Sequence, residues 1–138
     1  MKLIQSGAGS AFSGWTVSTD AYTEHDRRHA ILRSFSNSGS GDSRITAESI
    51  RPVLEGFLRV AFPEHYPPER LLSRFVRLCD EKVGMADEIL DPAAIQELRE
   101  IAEYANRFHH DTNPAWQTEV VNDRALLGWV NRALAFAR

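Results

Sequence analysis

The amino-acid sequence predicts an all-α fold, a bundle of about five helices behind an irregular N-terminal segment. Three observations carry this. Apolar residues recur at i, i+3, i+4 and i+7 in separate stretches, the period of a helix buried along one face. Helix punctuation flanks those stretches, with Asp91-Pro92 before one, Pro63 after another and Gly84 after a third. Convincing β alternation is missing, apart from two or three residues in 2–5 or 118–121.

The elements follow in order. Residues 1–19 are expected to be irregular, because Gly7, Gly9 and Gly14 alternate with serines and resist a single packed conformation. Such an opening is compatible with a fragment of a longer protein. Residues 20–138 then form a single helical domain. Asp20 is expected to cap the first helix, whose face carries Tyr22, His25, His29, Leu32 and Phe35. The serine- and glycine-rich stretch 36–43 has the composition of a flexible linker. Ile50, Val53, Leu54, Phe57, Leu58 and Ala61 mark the second helix most clearly. Thr46 or Ser49 could cap it, and Pro52 favours Ser49, since proline suits a first turn and not an interior. Pro67-Pro68 is expected to open the third helix, which buries Leu71, Leu72, Phe75, Leu78 and Cys79 and stops at Gly84. Asp91-Pro92 opens the fourth, which runs through Ile95, Leu98, Ile101, Ala102, Ala105 and Phe108 and fails near 111–114. The fifth begins at Asn122 or Asp123 and buries Leu126, Leu127, Val130 and Leu134, with Trp129 and Phe136 on its flanks.

Composition narrows the function classes. A chain of 138 residues buries roughly 68% of its unfolded surface, enough for a core without staples. One cysteine, Cys79, rules out an internal disulfide and a cysteine-based zinc cluster. A net charge of −3 argues against a dedicated nucleic-acid binder, whose footprint is basic, though a local basic patch stays open. No apolar run approaches the ~18 residues that span a bilayer, and the first ten residues lack the apolar core of a signal peptide. A cytoplasmic protein with no membrane partner is expected.

Candidate sites are few. His25 and His29 stand one helical turn apart, a spacing that can hold zinc, in a stretch resembling H-E-x-x-H with Asp26 where the glutamate base would be. A third ligand would have to come from His109 or His110, and the alternative is two histidines on a half-buried face, so no metal or other cofactor is expected. Arg107, His109 and His110 form the densest polar cluster. Histidine shuttles protons near neutral pH, so the cluster could cleave RNA. It could equally cap the last carbonyls of the fourth helix. Arg70, Arg74 and Arg77 share one stripe of the third helix, which could track phosphates or simply face solvent, with Glu69, Asp80 and Glu81 diluting it. Trp116, Trp129 and Phe136 are candidates for a partner or homodimer surface, since tryptophan is enriched at interface hot spots; burial in the bundle is the alternative. The glycines of 7–14 lack the Lys and Ser/Thr of a phosphate loop, no G-x-S-x-G elbow exists, and Cys79 on an apolar face is inert.

Several segments resemble a known family. Ile50-Arg51-Pro52-Val53-Leu54-Glu55-Gly56-Phe57-Leu58-Arg59, followed by Phe62-Pro63, is similar to the R-x-x-L-E-x-F-L-x-F-x-x-P stretch of bacterial AAA-type ATPases of the SMC-like, anticodon-nuclease-related defence class. That stretch lies in the helical extension behind the ATPase head. Tyr104-Ala105-Asn106-Arg107-Phe108-His109-His110 resembles the N-x-x-(S/H)-H stretch that follows, and residues 22–35 resemble the helix leading in. The resemblance spans roughly residues 15–138 and implies the extension without its engine, since no phosphate loop or acidic strand is present. Related anticodon nucleases carry an R-x(4–6)-H motif. Here Arg107 precedes His109 by two positions and His110 by three, and Arg99 precedes His109 by ten, so neither spacing matches. The resemblance therefore implies a non-catalytic interaction or regulatory module whose partner is an ATPase head or another protein. The alternative is a helical ribonuclease or RNA-binding domain using Arg107, His109 and His110.

Overall fold

The computed structural model describes residues 13–138, with side chains from Glu24 onward. It contains five α-helices: α1 Ser13–Ser38, α2 Ser43–Ala61, α3 Leu72–Glu81, α4 Pro92–Asn106 and α5 Asp123–Phe136. A short 3₁₀ turn, Trp116–Thr118, lies before α5. No strand occurs among the described residues, and 118–121 holds the end of that turn rather than β-structure. No described helix is long and apolar enough to cross a membrane.

The α2 helix is the centre of the bundle, packed against α1, α4 and α5. Its Ile50, Val53, Leu54 and Leu58 are fully buried, as the spacing predicts. The core continues through Leu32 and Phe35 of α1, Phe75, Val76 and Cys79 of α3, Ile95, Leu98 and Ile101 of α4, and Leu126 and Val130 of α5. The α3 helix is peripheral and packs chiefly on α4.

Several boundaries differ from the sequence expectation, each for a physical reason. The first helix starts at Ser13, so Asp20 lies inside it rather than at its start. Residues 2–5 and the first glycines fall outside the described residues. The stretch 36–43 is not a flexible linker: 36–38 complete α1, and 39–42 form a tight turn into α2. Gly39 and Gly41 take φ of +67° and +121°, values that glycine alone adopts freely, and reverse the chain from α1 into α2. Asp42 then caps α2 by accepting the Ile45 N–H at 2.9 Å. Ser49 sits mid-helix and donates to the Ile45 carbonyl instead, which leaves Pro52 in the interior. Pro67 and Pro68 form a turn closed by Arg70 N–H to the Pro67 carbonyl, and α3 begins only at Leu72. That start sets the buried face as Leu72, Phe75, Val76 and Cys79, and leaves Leu71, just before the helix, 64% exposed. Asp91 and Asn122 cap α4 and α5 as expected, each accepting the N–H three residues on.

Candidate functional site

The residues with chemistry fall into two regions, a polar seam beside α2 and an arginine cleft on α3.

The seam begins with Pro52. Its ring removes the N–H that would bond to the Glu48 carbonyl four residues back. His109, in the turn after α4, lies near Glu48 of α2. The sequence placed a histidine at the end of α4 as its cap. The carbonyls there are met by other side chains: Thr112 donates to the Asn106 carbonyl at 2.6 Å and Asn113 to that of Arg107 at 2.9 Å. Among the described residues no side-chain bond from His109 or His110 reaches those carbonyls. Burial, and then Arg51, push its pKa down to about 4, which keeps the ring neutral at pH 7. Its Nε2 is buried without a partner among the described residues.

Arg51 is the hub of the seam. It donates twice to Asp111, at 3.0 and 2.7 Å, and pairs with Glu55 one turn along α2 at 3.4 Å. The hydrogen bonds from Arg51 hold the Asp111 carboxyl below its usual range. Tyr66, 1% exposed, lies alongside. Burial, and then Glu55, raise its pKa to about 12, and Arg59 lies over its ring at 4.8 Å. Arg44 ties down the next loop by donating to the carbonyls of Trp116 and Glu119.

The catalytic candidates do not converge. Arg107 is ion-paired to Glu119 at 3.0 Å and lies over the Tyr104 and Phe108 rings at 5.2 and 5.5 Å. His109 faces the seam, whereas His110 is exposed. A general acid and base must share reach of one reacting group. Here one imidazole is held neutral against α2, its neighbour faces solvent, and the guanidinium is occupied.

His25 and His29 lie 6.0 Å apart between ring centroids. His29 receives Arg33 at 2.6 Å on Nδ1, and burial, followed by Arg33, lowers its pKa. Neither His109 nor His110 joins them, and no group of three potential ligands occurs among the described residues. His25 instead lies over Gly56, where an added Cβ would meet Nδ1 at 2.3 Å. Gly56 is thus what lets α1 approach α2.

The aromatic candidates are built into the bundle. Trp129 stacks on Tyr104 with centroids 5.0 Å apart and planes 13° from parallel, and Arg132 lies 4.3 Å over the indole. Phe136 meets Phe57 edge-on at 6.1 Å. Trp116 is half-buried. Cys79 is fully buried, and burial raises its thiol to about 11, in keeping with an inert side chain.

The α3 face is different. Arg70, Arg74 and Arg77 line one cleft of about 140 Å³ together with Leu78 and Glu81. None of the three makes an ion pair with a described carboxylate, Glu81 included. The Arg70 Nε is buried and has no acceptor. Arg77 also borders a second groove of about 360 Å³ between α3 and α4, with Leu72, Val76 and Ala102 among its lining.

The sequence singled out the three arginines, and its polar cluster 106–111 takes in Asp111, but it missed Arg51, Glu55, Tyr66 and Gly56. Part of that seam is visible in the spacing, because Arg51, Glu55 and Arg59 recur every fourth residue. Nothing local announces Tyr66, or that Asp111 pairs with Arg51; both follow only from tertiary folding. Comparison with known proteins adds nothing further: no family model, curated protein or solved structure matches this chain.

Proposed function

We propose that this chain is a non-catalytic helical interaction module, and that the α3 face is the surface it offers to an acidic protein partner. One observation carries the reading: Arg70, Arg74 and Arg77 share a cleft without a described ion-pair partner, whereas Arg44, Arg51, Arg107 and Arg132 are each paired to a carboxylate. Unpaired guanidinium groups in one cleft attract carboxylates and suppress basic partners. The adjoining α3–α4 groove, with Leu72, Val76 and Ala102 in its wall, adds apolar surface for the same partner. The resemblance of the α2 stretch names the partner class, the head of a bacterial AAA-type ATPase.

The test is co-purification with a recombinant head of a bacterial AAA-type ATPase of that class. A stoichiometric complex is expected, weakened at least tenfold by Arg74→Glu and Arg77→Glu while the helical circular dichroism is unchanged. A complex indifferent to both reversals, or no complex, overturns the reading. Cleavage of transfer RNA or single-stranded RNA by the wild type, lost in His109→Ala or His110→Ala with folding intact, would replace it with the ribonuclease alternative.

A further inference from the structure

We propose that the cleft formed by Arg70, Arg74 and Arg77 is a phosphoryl-binding site, taking the dianionic group of a phosphate monoester or inorganic phosphate. The proposal rests on the reading of α3 as the binding face and specifies the anion that face selects.

Three observations point to a phosphoryl group rather than a carboxylate. The first is charge. Three guanidinium groups line one cleft, and a dianion with three terminal oxygens matches them better than a single carboxylate. The second is Glu81. It lines the same cleft, one helical turn beyond Arg77, yet none of the three arginines is within ion-pair distance of it. A carboxylate is at hand and is not taken. The third is the Arg70 Nε, which is buried without an acceptor. Arginine binds phosphate through paired N–H groups, and Arg70 carries an N–H that no described acceptor satisfies.

Size and field exclude a long polyanion. The cleft is about 140 Å³, well above the ~10–15 Å³ that a single water needs and right for a small group rather than a strand. Around it stand Glu69, Asp80 and Glu81, on a chain of net charge −3. A nucleic-acid backbone would meet those carboxylates along its length. A single phosphoryl group meets the three arginines and one lining carboxylate, Glu81, so the arginines outnumber the acid there.

The experiment titrates the full chain with inorganic phosphate at constant ionic strength, following amide shifts by NMR. Saturable shifts confined to α3 and the preceding turn are expected, absent with chloride. Arg74→Ala should weaken binding at least tenfold and Arg74→Lys less, because lysine keeps the charge without the planar fork. Arg124→Ala, on α5, should change nothing. Affinity should rise between pH 5.5 and 7.5 when phosphoserine is the probe, as its second proton leaves near pH ~6. Comparing inorganic phosphate, phosphoserine and a phosphoserine peptide identifies the source of the group, with the tightest of them the natural class. No phosphate-specific shift, or shifts that survive Arg74→Ala, would overturn the proposal. So would binding of single-stranded RNA that strengthens with length while phosphate fails. An ATPase-head complex that depends on Arg74 while phosphate has no effect would keep the binding face and make its anion a carboxylate.

Discussion

Arg51 and Arg74 are arginines on helices of the same bundle, and their surroundings are opposite. Arg51 is held by Asp111 and Glu55, with Asn106 and Thr112 completing its shell. Arg74 lines a cleft with two more arginines and no described ion pair. The difference is one of position in the fold. The α2 helix is central, so its polar residues are half-buried and must find partners. The α3 helix is peripheral, so its outer residues can remain unpaired, with water to solvate them. Unpaired charge at the edge is available for binding, whereas paired charge near the core is committed to folding.

The contrast can be broken most directly at Arg51. Arg51→Ala strands Glu55 and Asp111 beside Tyr66 and is expected to destabilise the chain by about 2–3 kcal/mol. This is less than the ~3–5 kcal/mol for severing a fully buried pair, because Asp111 is 57% exposed and screened. Urea unfolding of Arg51→Ala and Arg74→Ala side by side checks it. Equal losses would erase the distinction between the two regions.

Acid sharpens the same contrast. The unfolded pKa of a histidine is ~6.5, and burial brings that of His109 down to about 4 in the folded chain. The unfolded state therefore binds the extra proton first, and stability falls as the pH drops from about 6.5 towards 4. At 1.36 kcal/mol per unit the loss is at most ~3 kcal/mol. His109→Gln should flatten that window, as measured by urea midpoints across pH. Asp111, held below its usual range by Arg51, acts lower: its contribution is present above the ordinary carboxylate pKa and is lost as the pH falls through the folded value. An undiminished window in His109→Gln would move the acid sensitivity elsewhere.

Gly56 provides a smaller test of the α1–α2 contact. Gly56→Ala should cost about 1 kcal/mol, because the new methyl collides with the His25 ring. With His25→Ala present, the same change should stabilise by up to ~1 kcal/mol, alanine being the better helix former. A double-mutant cycle by thermal unfolding reads the coupling, and strict additivity would remove His25 from the contact. The smallest expected effect is at Arg74, where Arg74→Ala should shift stability by less than ~0.5 kcal/mol.

Much of the bundle was legible because helices announce themselves locally. Apolar spacing marked Ile50, Val53, Leu54 and Leu58 of α2, the buried face of α4, and Leu126 and Val130 of α5, while Ala61 is exposed and Leu127 and Leu134 are only half-buried; Asp91-Pro92 and Asn122 marked two starts. Arg74 and Arg77 of α3 were legible for the same reason, whereas Arg70 lies in the turn before the helix and joins their cleft from there rather than by helical spacing. The errors were also local. The sequence offers Thr46 or Ser49 as the cap and lets Pro52 decide for Ser49, whereas Asp42 is the cap and Pro52 sits inside the helix. Leu71 looked buried until the turn 67–70 delayed α3 and moved it off the packed face.

By itself, then, the sequence determined the all-α class, most of the helices and most of the core, because period, cap and breaker act within a few residues of one another. Only the tertiary structure decided which charges are spent and which stay open. Pairing depends on distance between side chains from different elements, and no spacing along the chain carries that distance. Arg51 reaches Asp111 across sixty residues, while Arg74 meets no described carboxylate.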